Sequence, residues 1–132
     1  MAKEEIYLSI YRGIIENPRV QAVSQRGNCR KWSREAILEL IKIGNENDIH
    51  ITTEARETEV EPFLFHTFVR FYINEDDPYL FDGTGVSKFN PYFGPESKAP
   101  NHLQNSTHDM INYYLDDGTK SPTDREELQD SE

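Results

Sequence analysis

The alternation of apolar and polar positions divides the chain into short elements. Ile6, Ile10 and Ile14 lie four residues apart with Tyr7, Tyr11 and Ile15 beside them, which is helical spacing over residues 4–15; Gly13 weakens it and leaves a strand open. Arg19–Ser24 is short and alternating and predicts a first strand, and Gln25–Lys31 is polar, contains Gly27 and predicts a loop. Ser33 can cap a helix through Ile43, with Ile37, Leu38, Leu40 and Ile41 on its buried face and Gly44 ending it. His50–Glu57 alternates and is rich in β-branched residues, so it predicts a strand, followed by a charged link over Thr58–Glu61. After Pro62, the run Phe63–Ile73 is the strongest strand signal. Leu64, His66, Phe68, Arg70 and Tyr72 share one face and Phe63, Phe65, Thr67, Val69 and Phe71 the other, so both faces should be covered and the strand should be central.

Residues 74–100 are irregular, with a short strand at Tyr79–Phe81. Ser106, with Asp109 as a capping-box partner, predicts a last helix ending at Gly118. The tail 119–132 has one apolar residue, a Leu, and is expected to be disordered. The expected fold class is α+β, a central antiparallel sheet with flanking helices in one domain over residues 1–118.

Fifteen aromatics supply large groups for that core, and no run approaches the roughly 20 apolar residues of a membrane span. The first residues lack a basic flank and apolar stretch, so no secretory signal is expected. Cys29 is the one cysteine, so no internal disulfide can form, which fits a reducing intracellular setting. The net charge is −10, but it is uneven: residues 1–49 carry eight Lys/Arg against seven Asp/Glu, and residues 50–118 four against twelve. The basic side chains gather at Arg26, Arg30, Lys31 and Arg34, a group that could hold phosphates or be a solvated helix start. The acidic excess argues against tight non-specific DNA binding.

Several landmarks occur in an ordered series. A segment running into a loop and a Glu- and Leu-rich helix (residues 19–41) is followed by a strand carrying Glu54. Then come His66 in the run 61–71, Leu80, Phe81 and Asp82, a Phe89–Pro91 element, and a segment holding Tyr113 before Asp117 and Gly118. In order and spacing this resembles the HUH-type nuclease domains of the replication initiator (Rep) proteins of geminivirus-like circular single-stranded DNA viruses. The resemblance implies a Rep nuclease, ferredoxin-like fold. It also implies nicking of single-stranded origin DNA in rolling-circle replication by Tyr113, with a Mg or Mn ion held by His66 and Glu54 and DNA met by Arg26, Arg30, Lys31 and Arg34. The chain would then be intracellular, nuclear if from a eukaryotic virus.

The chain departs from that pattern at two positions. Leu64 stands where the first of two metal-binding histidines is expected, with His50 as a candidate substitute, and Asp116 replaces a lysine that would face the phosphate. Both changes weaken catalysis. Two alternatives therefore stand beside a nicking enzyme. One is a Rep-fold module without nuclease activity that binds a replication or host protein. The other is a small acidic accessory protein acting through protein–protein contacts, and no reading calls for a membrane.

Overall fold

The computed structural model describes residues 3–109. Helix α1 covers Lys3–Ile15 and buries Tyr7, Ile10 and Ile14, the stripe that the four-residue spacing requires. Glu4 and Glu5 stand in its first turn and Arg12 in its last, matching the helix dipole. A one-turn helix, α2, spans Pro18–Gln21. Asn17 caps it, its Oδ1 accepting from the Arg19 and Val20 amides, and Pro18 occupies the first turn. The expected strand at Arg19–Ser24 is therefore a helix and a turn, because the cap and the proline outweigh a six-residue alternation.

Helix α3 runs Cys29–Asn47 and buries Trp32, Ala36, Ile37 and Leu40. It begins four residues before Ser33, which lies buried within it rather than capping it. Leu38 and Ile41 are exposed, so the buried stripe lies one position round the helix from the expected one. Gly44 does not end α3. A Cβ there would lie 2.9 Å from the Ile49 carbonyl, so glycine lets the returning chain come close. The helix stops instead at Asp48, in the left-handed region with φ 54°.

The sheet has five strands in the order β4-β3-β2-β1-β5, with every pairing antiparallel. Strand β1 is Ile51–Glu61, absorbing the residues expected as a charged link, and β2 is Leu64–Ile73. Phe63 forms the turn between them, with φ 66° and 89 % exposure, not a buried strand position. Strands β3 (Tyr79–Asp82), β4 (Tyr92–Pro95) and β5 (Thr107–His108) complete the sheet. The expected helix start at Ser106 is replaced by β5 on β1, fixed by the Asp109 amide donating to the Ala55 carbonyl at 3.0 Å.

The architecture is α+β, a central antiparallel sheet with flanking helices, and β2 lies at its middle as its pattern requires. Helices α1 to α3 cover the face carrying Ala55, Val69, Phe71 and Phe81. Phe68 and Leu80 on the other face pack with Ala99 and Leu103, under the 3-10 turn Glu96–Lys98 and the short helix α4, Asn101–Gln104. No helix among the described residues is long and apolar enough to cross a membrane.

Candidate functional site

His66 stands near the start of β2, opposite Thr58 of β1, and is completely buried. Its Nε2 lies 2.8 Å from Oδ2 of Asp82, the last residue of β3 and equally buried. The other carboxylate oxygen, Oδ1, accepts the backbone N–H of Gly85 at 3.0 Å and of Thr84 at 3.2 Å. Two backbone donors thus fix the carboxylate plane and leave Oδ2 turned toward the imidazole. Gly85 has φ +71°, and a Cβ there would lie 2.8 Å from the Phe89 carbonyl, so this turn demands glycine.

Both residues stand at the same end of the sheet, and the first turn of α3 meets that end. Trp32 lies against the backbone of Gly83, where an added Cβ would be 1.9 Å from the indole. Arg30 reaches Glu57 of β1 at 3.8 Å and Asp109 at 3.7 Å. Asp109 also accepts the Thr67 hydroxyl at 2.6 Å. Burial and the neighbouring Asp109 push the Glu57 carboxyl above its ordinary value, with Arg30 opposing. Cys29, the first residue of α3, is completely buried. The residue three before it, Arg26, donates to the Ser87 and Phe89 carbonyls. The residue three after it is Trp32. Cys29 is therefore flanked on both sides by contacts to the segment that follows Asp82.

The residues expected to bind metal do not meet. Glu54 pairs with Arg70, four residues beyond His66 on β2, which is about 13 Å at strand rise. Its carboxylate is engaged by Arg56 at 3.1 Å, Arg70 at 3.6 Å and His108 at 3.0 Å. His50 cannot substitute: it precedes Ile51, which pairs with Ile73, seven residues and about 23 Å of strand from His66. Among the described residues no group of three His, Cys, Asp or Glu side chains is arranged to hold a metal ion. Tyr113 and Asp116 lie outside the described residues. The basic group is dispersed. Arg34 is buried, Arg30 is ion-paired, Arg26 serves two carbonyls and Lys31 is half-buried.

Three further residues stand out here. In the sequence Asp82 is one landmark of the ordered series and Cys29 the lone cysteine; a single Cys followed by a strand His and an Asp ending the next strand is the signal that points to them. His102 gave no signal. Its ring stacks on Phe89 with centroids 3.9 Å apart, and both nitrogens are buried without a hydrogen bond. Burial lowers its pKa below the ordinary 6.5, and His66 adds to this while the Asp82 carboxylate opposes it. The fold thus prefers neutral His102. The resulting stability is present above pH 6.5 and is lost as pH falls below that value through the lowered folded one. His102→Gln is expected to flatten the fall in unfolding free energy over that window, measured by urea titration at several pH values. An unchanged slope would remove His102 from the account.

Compared with known protein families, curated proteins and solved structures, the chain gives no match.

Proposed function

We propose that this chain is a thiol-dependent acyl-transfer enzyme in which Cys29 is the nucleophile, His66 the general base and Asp82 the group that orients the base. The observation that carries this reading is the buried His66–Asp82 contact of 2.8 Å, set at the end of the sheet that the first turn of α3 meets. His66 and Asp82 share the sheet face of Phe68 and Leu80, whereas α3 packs on the other face, so the reading requires Cys29 to reach His66 around the sheet's end rather than across it. The start of a 19-residue helix favours negative charge at Cys29, as a thiolate nucleophile requires.

The reaction that fits is attack of sulfur on the carbonyl carbon of an amide or ester. With Nε2 turned to Asp82, Nδ1 takes the thiol proton as the S–C bond forms. His66 then returns that proton to the leaving amine or alcohol as its bond to carbon breaks. Water or an acceptor amine next attacks the thioester and frees the thiol. The three residues are completely covered, so a substrate reaches them only when the cover opens.

The test is pre-steady-state reaction of the full chain with p-nitrophenyl acetate. A burst of nitrophenolate stoichiometric with the chain, with the acetyl group found on Cys29 by mass spectrometry, is expected. It should be absent in Cys29→Ser and His66→Ala. Absence of a burst, or a burst untouched by His66→Ala, would overturn the proposal. The Rep-like reading is a second proposal, favoured by the α+β fold with His66 on its central strand. It predicts instead a Tyr113-dependent covalent adduct with single-stranded oligonucleotides in the presence of Mn²⁺.

A further inference from the structure

We infer that Arg26 is a positioning residue for the thiol site, clamping the segment that leads into Cys29 against the loop that leads out of Asp82; the inference rests on the thiol reading above. Arg26 stands in the turn between α2 and α3, three residues before Cys29. Its Nη1–H donates to the Ser87 carbonyl and its Nη2–H to the Phe89 carbonyl, the latter at 3.3 Å.

Those acceptors belong to a closed loop. The Val86 amide donates to the Phe89 carbonyl at 3.1 Å and the Phe89 amide to the Val86 carbonyl at 2.8 Å. The loop begins with the bonds from Thr84 and Gly85 to Asp82 and holds Ser87 at φ 52°. Gly27, at φ 93°, then turns the chain between Arg26 and the start of α3. A single guanidinium therefore joins the nucleophile's approach to the loop built on the carboxylate. The two carbonyls are two residues apart and call for two divergent N–H groups from one side chain. Arginine's fork supplies them, while lysine's ammonium is a point donor.

Arg26 is exposed and makes no other interaction among those described, so its removal should leave the core intact. Its effect should appear in the chemistry, because a misplaced nucleophile slows reaction steeply: Arg26→Ala is expected to slow acylation of Cys29 by roughly ten- to a hundredfold.

The experiment compares wild type, Arg26→Ala, Arg26→Lys and His66→Ala. It measures the p-nitrophenyl acetate burst rate, the pH profile of Cys29 alkylation by iodoacetamide, and the urea midpoint. The expected result is a slowed burst in Arg26→Ala with an alkylation profile displaced toward that of an ordinary thiol, partial recovery in Arg26→Lys, and midpoints that barely move. A wild-type burst in Arg26→Ala while His66→Ala is inactive would overturn the inference alone. A slowing that merely tracks the unfolded fraction would do the same. Wild-type behaviour in both would overturn the thiol reading and the inference with it. Should Arg26→Ala fail to fold, Arg26→Gln, which keeps one amide donor, carries the comparison.

Discussion

Gly83→Ala is expected to destabilise the fold by about 3 kcal/mol, at the upper end for overpacking a core. The added Cβ would lie 1.9 Å from Cζ2 and 2.0 Å from Cε2 of Trp32, far inside contact distance. The far end of a flexible side chain could swing away. An indole 1 % exposed, edge-on to Phe81 at 5.0 Å between centroids, cannot. Either α3 lifts from the sheet or β3 bends, and both moves tear the core that holds Val69, Phe71 and Leu40. Trp32→Phe should relieve part of the clash. In a double-mutant cycle, Gly83→Ala should then cost less in the presence of Trp32→Phe than in the wild-type chain, with a coupling of roughly 1–3 kcal/mol. Urea unfolding of the four proteins measures it. Additive costs would mean that the helix does not rest on Gly83.

That contact also ties α3 to the end of β3. Gly83 follows Asp82 directly, so the close approach of Trp32 fixes the height of α3 above the end of β3. On the other side of Cys29, Arg26 grips the same segment a few residues on. Helix packing and loop bonding thus converge on one stretch, Asp82 to Phe89, from opposite sides of Cys29.

Much of this framework could be read from the sequence. The four-residue spacing of Ile6, Ile10 and Ile14 favours α1 over the strand that Gly13 leaves open, and the two covered faces of the run 63–73 predict the central strand that β2 forms from Leu64 on. Where the structure departs from the local pattern, the causes are definite. At Arg19–Ser24 the Asn17–Pro18 helix start outweighs a local alternation. At Gly44, a glycine needed for the close approach of Ile49 looked like a helix end. At Ser106, a capping pattern lost to pairing with β1, a non-local contact that local sequence does not encode. The site was legible only in part. His66 stands out on its strand, but order along the chain points to Glu54 as its partner. The antiparallel register instead places Glu54 at Arg70 and brings Asp82 from the next strand to His66. Partners across a sheet depend on register, and register here is set by the Phe63 turn and the irregularity between Glu59 and Glu61, neither of which the composition announces.

Asp82→Asn separates chemistry from architecture most cleanly. The asparagine side chain has nearly the same shape, and its carbonyl oxygen can still accept from the Thr84 and Gly85 amides, as Oδ1 does now. That choice turns the NH₂ group toward His66 Nε2, so Nε2 must accept and the ring proton moves to Nδ1. A ring already protonated at Nδ1 cannot take the thiol proton there. The variant should therefore fold with little change in urea midpoint, yet acylate Cys29 slower by on the order of 10³-fold or more. Asp82→Ala should behave differently. It strips the turn of its acceptor and leaves two backbone donors unpaired, lowering stability by roughly 1–3 kcal/mol as well as activity. Burst kinetics and urea unfolding on both variants test the argument. If Asp82→Asn acylates within about threefold of wild type while folding normally, Asp82 serves the turn alone and His66 is not held as a base.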